Sequence, residues 1–342
     1  MANTSSNITS NSSLSTPTVM ASFSKSLSIP SFIFLLFILV MSLSGNILVI
    51  LAFRIYRKLR TKTNYFVISL ACADIFVAST SMPFWGVYLL TGPNSVISDT
   101  LMKVWTSIDI LCGVASIINL AAISIERCIC ITRPLTYHTM MTSRRAVCII
   151  LFNWFLAFIM SSLKFALYNW EPPKYELLIS ISCFFLPLTI MCLCYHLIFK
   201  AARYQARQIA LVVKGGVRNF LLSTEVRAAK TLGVVMGAFI ISWGPFFVMN
   251  LVYGFCPKGE NCLSFEAVMV AKWMHYSNSF YNPIVYACMN KEFRSAFANI
   301  LFRGRACSKN GPSCRRGTLT ECNLTYFHGN ANGSSMESCH RP

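Results

Sequence analysis

Long apolar stretches, separated by short polar connections, run along most of the chain. Each stretch contains at most one residue of formal charge, and a helix needs about 20 apolar residues to cross the roughly 30 Å hydrocarbon core of a bilayer. Seven stretches meet or approach this length: 26–53, 65–90, 104–125, 146–163, 177–199, 231–257 and 267–290. The pattern predicts an all-α protein, a seven-transmembrane helix bundle.

The polar segments divide the chain into three predicted regions. Residues 1–25 are rich in Ser, Thr and Asn, residues 26–302 hold the apolar stretches, and residues 303–342 are rich in Gly, Ser, Cys and Arg. The connections between spans are too short for a large soluble domain. We therefore expect an extracellular N-terminal segment, a seven-transmembrane domain and a flexible cytoplasmic tail.

Composition and charge indicate a membrane protein. Hydrophobic residues make up 55% of the chain, charged residues 12%, and the mean hydropathy is +0.55, a poor composition for a water-exposed surface. The net charge of +18 comes from 30 basic and 12 acidic residues, and 24 of the basic residues lie in alternate connections and the tail. By the positive-inside rule these segments are cytoplasmic and border anionic membrane lipid, so the charge does not indicate a nucleic-acid partner.

Three N-glycosylation sequons support this orientation. They begin at Asn3, Asn7 and Asn11, before the first span, and we expect them to be glycosylated outside the cell. An odd number of spans then places the C-terminus in the cytoplasm.

Two carboxylates lie well inside predicted spans, where an ionisable group is costly and indicates a functional site. Asp109 lies one to two turns from the outer end of the third span. At that depth it can hold a protonated amine that enters from outside. The alternative is a structural hydrogen bond between Asp109 and a neighbouring helix.

Aromatic residues on two other spans are candidates for the same pocket. Trp243, Phe246 and Phe247 have the spacing i, i+3 and i+4 and share one face of the sixth span. Trp273 and Tyr276 in the seventh are three residues apart, and the Tyr276 hydroxyl is predicted to reach Asp109. Such rings add cation–π attraction of roughly 1–2 kcal/mol to a desolvated amine. Taken alone, each aromatic stripe also fits ordinary core packing.

A second polar set lies at the middle depth of the spans. A carboxylate with amide and hydroxyl groups suits a hydrated Na⁺ as an allosteric ion, and a water-filled hydrogen-bond network is the alternative. The set comprises Asp74, Ser116, Asn278, Ser279 and Asn282. Beyond this ion, no cofactor and no structural metal is expected.

Charged residues at the inner ends of the third and sixth spans suggest a latch. Glu126 and Arg127 adjoin the third span, and Glu225 begins the sixth. A pair between Arg127 and Glu225 would hold the two helices together, and breaking it would open a cleft for a partner. The alternative is that Arg127 is one more inner cation.

The motifs together resemble those of the rhodopsin-like (class A) family of G protein-coupled receptors. The resemblance runs over all seven spans, about 26–302. Its motifs are Gly45-Asn46, Leu70-Ala71-Cys72-Ala73-Asp74, Glu126-Arg127-Cys128, Trp154, Pro187 with Tyr195, Ser242-Trp243-Gly244-Pro245, Asn282-Pro283-Ile284-Val285-Tyr286 and Lys291-Glu292-Phe293-Arg294. Within the family, Asp109 with the aromatic runs at 243–247 and 273–276 is most similar to biogenic-amine receptors.

The resemblance implies a function and partners. Asp109 would be the counter-ion of a small protonated amine, Trp243 the toggle that senses it, and Arg127, Tyr195 and Tyr286 switches that transmit binding to a heterotrimeric G protein. An amphipathic eighth helix, a plasma-membrane location, and arrestin and a receptor kinase as partners are also implied.

Several positions depart from the family pattern. Met102 stands where the family usually has a cysteine bridged to the second outer loop. Cys256 and Cys262 are predicted to form a small disulfide in the third outer loop, as in many amine receptors. Ser180 remains as a partner for a ligand hydroxyl, although the catechol-binding serines of the family are not matched here.

Other classes of protein fit less well. An opsin would need a lysine where Tyr276 stands, and Lys272, one turn outward, is poorly positioned for a retinal Schiff base. Transporter repeats, channel filters and enzyme-like clusters of nucleophile and base are not found in the sequence. The remaining alternatives are a receptor of the same fold for a non-amine ligand and one that signals without a ligand.

Overall fold

A computed structural model describes residues 25–92, 97–166, 174–212, 216–257 and 262–303, except for many side chains between 205 and 236. Within these ranges all regular structure is helical. The helices are α1 (Lys25–Ile55), α2 (Lys62–Thr91), α3 (Asp99–Thr132), α4 (Ser143–Ala166), α5 (174–212), α6 (Gly216–Phe255), α7 (Phe265–Met289) and α8 (Lys291–Ala298). The predicted all-α bundle of seven long helices with a short eighth is confirmed.

Helices α1 to α6 are each long enough and apolar enough to cross a membrane. The seventh helix has 25 residues, about 37 Å at 1.5 Å per residue, which is long enough to cross. It is less apolar because it carries a polar face, including Lys272, His275 and Asn278, which are all buried. The chain is therefore a multi-pass membrane protein whose seventh helix turns its polar face into the bundle.

Side chains close the helix ends where the sequence changes from polar to apolar. The Ser98 hydroxyl accepts a hydrogen bond from the Leu101 N–H at the start of α3, and Ser264 accepts one from Ala267 at the start of α7. At its outer end α2 stops at Gly92, whose φ of 77° is a conformation that only glycine adopts at no cost. These caps satisfy backbone groups that a helix end leaves unpaired.

The eighth helix is amphipathic, as the family resemblance implied. The Asn290 side chain accepts hydrogen bonds from the N–H groups of Glu292 and Phe293, at 2.9 and 3.3 Å, which starts the helix. Phe293 and Phe297 are buried in an apolar cluster with residues of α1 and α2. The cluster fixes α8 against the inner end of the bundle.

Single π-helical turns interrupt α2 at Val77–Ser81 and α5 at Ile181–Phe185. A π turn holds an extra residue and so rotates the helix face that follows it, and such turns are frequent at functional sites. In α2 the turn ends at Ser81, which is buried and faces Asp109. Pro187 follows the turn of α5, whereas Pro245 and Pro283 lie inside α6 and α7.

The third helix lies at the centre of the bundle, where it packs against α2, α4 and α5. Polar side chains join the outer helices to their neighbours. The Asn46 amide of α1 donates to the Ser279 carbonyl of α7 at 2.9 Å, and the Trp154 indole of α4 donates to Ser69 of α2 at 3.0 Å. The buried polar groups are thus used to position helices as well as to build sites.

The predicted glycosylation sites Asn3, Asn7 and Asn11 and the tail 304–342 lie outside the described residues, and so does the second outer loop at 167–173. The predicted region boundaries at 25 and 302 therefore stay predictions.

Candidate functional site

A cavity of about 330 Å³ opens in the half of the bundle that is predicted to face outside. Its volume lies at the lower end of the range for small-molecule pockets, roughly 300–1,000 Å³. The walls come from α2, α3, α5, α6 and α7 and are largely apolar and aromatic. The polar and charged side chains among them include Asp109, Glu176, Asn250, Lys272 and His275.

Asp109 is paired with a cation of the chain itself. The Lys272 ammonium nitrogen lies 2.7 Å from Asp109 Oδ2, and the two side chains are only 9% and 7% exposed. Lys272 was predicted only to be poorly positioned for a retinal Schiff base. A buried carboxylate is costly without a partner, and here the seventh helix supplies a cation.

Aromatic rings surround the Lys272 ammonium group. Its nitrogen lies 5.0 Å from the ring centroids of Trp105 and Phe246, 5.4 Å from Tyr276 and 5.7 Å from Trp85. Each distance is within the roughly 6 Å over which a ring face attracts a cation. The arrangement is an aromatic cage with a carboxylate at one side, and an ammonium group occupies it.

Ser81 completes the coordination of the carboxylate. Its hydroxyl donates to Asp109 Oδ1, and it also lies 3.2 Å from the Tyr276 hydroxyl. The Trp105 indole N–H donates to the Ser81 carbonyl at 3.2 Å. The predicted contact between Tyr276 and Asp109 is therefore indirect, because the π turn of α2 places Ser81 between them.

Stacked rings form the floor of the cavity. Trp243 lies 4.2 Å from His275 and 5.8 Å from Phe247 between ring centroids, and Phe247 stacks on Phe184 of α5 at 4.6 Å. The Trp243 ring also lies against Gly113 of α3 so closely that a Cβ there would be 2.8 Å from its Cη2 atom. Any movement of Trp243 therefore acts on α3, α5 and α7 together.

The structure brings together most of the predicted ligand-binding residues. Asp109, Trp243, Phe246 and Phe247 line the cavity, and Tyr276 is buried beside its charged pair. Three members of the set, Tyr276 among them, do not line it. Trp273 packs edge-on against Phe34 of α1 at 5.2 Å, and Ser180 is buried with an oxygen that has no partner among the described residues.

Lys272, Glu176 and Ser81 belong to the site but were not among the predicted site residues. Lys272 carried a usable signal, because it is an ionisable residue in an apolar span and lies four residues before Tyr276, on the same helix face. Glu176 begins the fifth span and is the one acidic residue of that helix to line the cavity. Ser81 carried no signal, since serine is common in spans and only the π turn directs it inward.

The mid-depth polar set is largely assembled around Asp74. The Asn282 amide donates to Asp74 Oδ2 at 2.8 Å, the Ser116 hydroxyl lies 3.5 Å from Oδ1, and Ser279 is buried close to this carboxylate. Asn278, which precedes Ser279 in the sequence, is also buried, but its side-chain amide nitrogen has no hydrogen-bond partner among the described residues. The carboxylate and the two hydroxyls are oxygen donors of the type that a sodium ion prefers.

At the inner end, Glu126 holds Arg127. The Arg127 guanidinium donates to both carboxylate oxygens of Glu126, at 2.7 and 3.0 Å, and Thr63 and Tyr137 donate to the same carboxylate. Tyr137 lies in a short helix, Pro134–Met140, in the loop after α3. Burial and the hydrogen bond to Glu126 raise the pKa of its phenol above the ordinary value. The phenol therefore stays protonated and remains a donor.

The other predicted switch residues are placed in part. Tyr286 stacks on Phe293 of α8, with ring centroids 5.6 Å apart, and Tyr195 is half-buried on α5. The Glu225 side chain lies outside the described part of the chain, so its pairing with Arg127 stays a prediction.

The third outer loop contains the predicted disulfide. Cys256 and Cys262 are joined, with their Cα atoms 5.9 Å apart. Met102, at the position of the usual family cysteine, instead lines the cavity. The chain therefore has a disulfide that ties the end of α6 to the start of α7.

Comparison with known proteins gives the same assignment. Residues 45–286 match the model of the 7 transmembrane receptor (rhodopsin family). The histamine H2 receptor of Cavia porcellus is 35% identical over 81% of this chain and 80% of its own length. The dopamine receptor 1 of Drosophila melanogaster is 34% identical over 79% of this chain and 61% of its own, and the alpha-1A adrenergic receptor of Bos taurus is 32% identical over 75% and 64%.

These matches cover the helices that build both the cavity and the Glu126–Arg127 ion pair. The family consists of receptors and not enzymes, in agreement with the sequence prediction. The chain belongs to the rhodopsin family of seven-transmembrane receptors.

Proposed function

We propose that the protein is a receptor for a small protonated amine and passes ligand binding to a heterotrimeric G protein. The observation that carries the proposal is the cage around Lys272: a carboxylate and four aromatic rings already enclose an ammonium group. A cavity whose walls satisfy one ammonium has the chemistry to bind another.

The charge of the cavity also favours a cationic ligand. Asp109 and Glu176 carry two formal negative charges and Lys272 carries one positive charge, which leaves a net charge of −1 among its acidic and basic side chains. A ligand with a single positive charge restores neutrality in a region of low dielectric. A neutral or anionic ligand would leave this charge uncompensated.

The relatives support the same class of ligand. Receptors named for histamine, for dopamine and for adrenergic ligands are each at least 32% identical to this chain over three quarters of it or more. All three names denote small amines, and the cavity of about 330 Å³ suits a ligand of that size.

Trp243 is the element that transmits binding in this proposal. It lies at the floor of the cavity, contacts Gly113 of α3, and is followed two residues later by Pro245, which frees a backbone carbonyl and permits α6 to bend. Rotation of α6 about this point moves its inner end. A cleft then opens beside Arg127, where a G protein binds.

A panel of amines tests the proposal. Cells that express the full chain are exposed to histamine, dopamine and noradrenaline and to the corresponding alcohols, in which a hydroxyl replaces the amine, and cAMP and calcium are measured. We expect at least one amine to activate and its alcohol to be at least 100-fold weaker, because the alcohol has no charge to offer. Equal potency of amine and alcohol would refute the amine assignment.

The cellular context follows from the same proposal. The receptor lies in the plasma membrane with its N-terminus outside, and its basic inner face borders anionic lipid. Arrestin and a receptor kinase act on the active form. A sodium ion held by Asp74, Ser116 and Ser279 acts as an allosteric ion, since these residues supply the oxygen donors it requires.

A second candidate function is signalling without an added ligand. It is favoured by the same cage, because Lys272 already fills the position of an ammonium ligand. In that case cAMP or calcium should rise in proportion to surface expression in the absence of amine, and Lys272→Met should lower this basal signal. A basal signal equal to that of cells without the receptor would exclude the second candidate.

A further inference from the structure

Both oxygens of the Asp109 carboxylate are already used. Lys272 donates to Oδ2, and Ser81 donates to Oδ1. A ligand that took the place of Lys272 would leave a buried ammonium group with no counter-charge. Such a loss weakens binding by two to three powers of ten. While Lys272 is present, Asp109 therefore binds an external amine only weakly.

A second carboxylate, that of Glu176, lines the same cavity and has one oxygen without a hydrogen-bond donor among the described residues. Glu176 lies at the outer end of α5, and its Oε2 atom is buried and makes no hydrogen bond to any described residue. A buried carboxylate oxygen without a donor is costly, so native proteins rarely leave one unless a ligand, ion or water supplies the donor. An ammonium group, with three N–H donors and a positive charge, satisfies it fully.

The surroundings of Glu176 fit an ammonium group. The outer segment of α5, Lys174–Ser180, packs against α6. On α6 the cavity is lined by the amide of Asn250 and the ring of Tyr253. An amide oxygen accepts a hydrogen bond from an ammonium, and a tyrosine ring attracts its charge. The α5–α6 side of the cavity thus offers an acceptor set distinct from the Lys272 cage.

Two further unpartnered polar atoms lie deeper in the cavity. The His275 Nδ1 atom and the Trp243 Nε1 atom make no hydrogen bond to the described residues, and both side chains are only 3% exposed. The indole N–H is a donor only, so it requires an acceptor from the ligand. The ligand therefore needs an uncharged hydrogen-bonding group at the end opposite to its cation.

We propose that the ligand of this receptor is a monocationic amine whose ammonium group binds Glu176, while Asp109 remains paired with Lys272. An uncharged acceptor at its other end reaches Trp243 and His275. The inference rests on the proposed function and assigns Glu176 as the residue that binds the charge. It makes Lys272 a specificity element that directs the cation from α3 and α7 toward α5 and α6.

Two variants that remove charge separate the roles of the two carboxylates. Glu176→Gln removes the charge of the proposed acceptor. The double variant Asp109→Asn/Lys272→Gln removes both charges of the Asp109–Lys272 ion pair and leaves the net charge of the cavity unchanged. Glu266→Gln is the matched control. Glu266 is exposed in the first turn of α7, and its substitution removes the same charge from the same side of the bundle. Histamine, dopamine and noradrenaline are the probes, with EC50 and ligand-dependent thermal stabilisation measured per receptor at the surface.

We expect Glu176→Gln to raise the EC50 of the active amine by about 10- to 100-fold, the size of a charge-assisted hydrogen bond. Glu176→Asp, which keeps the charge, should recover part of the loss. Glu266→Gln should stay within about threefold of the wild type, and the double variant should raise the EC50 less than Glu176→Gln does. Thermal stabilisation by the amine should follow the same order, which separates loss of binding from loss of signalling.

The opposite order overturns the inference and leaves the proposed function standing: potency lost in the double variant and kept in Glu176→Gln means that Asp109 binds the amine. Equal potency in all variants also overturns it. If no amine activates or stabilises the wild type, the inference and the proposed function fail together.

Discussion

Replacing Lys272 tests whether the chain supplies its own counter-ion to Asp109. Lys272→Met keeps the length and most of the volume of the side chain but removes its charge. Lys272→Ala removes the charge and also opens space beside the aromatic cage. The two variants therefore separate the electrostatic effect from the effect of filling the site.

The structure gives the size of the expected effect. At 2.7 Å and an effective dielectric constant of about 20, the attraction between the two charges is about 6 kcal/mol before the cost of their desolvation. Removing one partner of such a buried pair costs about 3–5 kcal/mol, because the remaining charge is uncompensated. At about 2–4 °C per kcal/mol, Lys272→Met should lower the melting temperature by roughly 6–20 °C.

A thermal-stability assay with a small amine completes the test. The purified Lys272→Ala receptor is melted with n-butylamine, which carries the charge on a chain one carbon longer than the part removed, and with n-butanol, which has a similar volume and no charge. We expect n-butylamine to restore a large part of the lost stability and n-butanol little. Lys200→Met, which removes an exposed lysine of α5 that does not line the cavity, should show neither the loss nor the rescue.

The same variants make a prediction for signalling. With Lys272 absent, Asp109 and its rings become available to an external ammonium, so the EC50 of an active amine should fall by about 10-fold or more. If Lys272→Met melts at the wild-type temperature and n-butylamine and n-butanol act alike on Lys272→Ala, then Lys272 does not neutralise Asp109, and the reasoning about charge in the cavity is wrong.

Three further changes test the toggle, the ion site and the inner latch. Gly113→Ala places a Cβ 2.8 Å from the Trp243 ring and should destabilise the receptor by about 1–3 kcal/mol and weaken the amine response, whereas Gly237→Ala, which meets no atom within 4 Å, should be near neutral in melting temperature and EC50. Asp74→Asn should abolish the difference in amine affinity between membranes in sodium chloride and in potassium chloride, and an unchanged difference would argue against the sodium site. Glu225→Ala should raise basal cAMP or calcium signalling by freeing the inner-end arginine, and an unchanged basal signal at equal surface expression would count against the latch.

The aromatic and charged residues show how far spacing along one helix carries. Trp243, Phe246 and Phe247 were placed on one face by the i, i+3, i+4 rule, and all three line the cavity. The same rule placed Trp273 and Tyr276 on one face of α7, but Trp273 packs on α1. Residues three apart differ by about 60° in direction around the helix axis. Because α7 lies between α1 and α6, this difference is enough to turn the two rings toward different neighbours. Spacing assigns a face of the helix, and the neighbours of that face depend on how the helices are arranged.

The architecture and the set of polar groups inside the bundle could be predicted from the amino-acid sequence. The lengths of the apolar stretches determine the number of helices because lipid leaves no other way to satisfy the backbone, and the distribution of basic residues predicts the orientation. Asp74, Asp109 and Arg127 stood out because a charge inside or beside a span is expensive. The family motifs then identified a receptor.

The contacts between these polar groups depend on how the helices pack. Lys272 and Asp109 are separated by 163 positions, and Glu176 lies on a third helix, so no local pattern predicts that the three share one cavity. The π turn that directs Ser81 between Asp109 and Tyr276 depends on packing and not on residue type. The energy of a buried charge is set by its partners across helices, and for that reason the balance of charge in the ligand cavity could be read only after the helices had been placed.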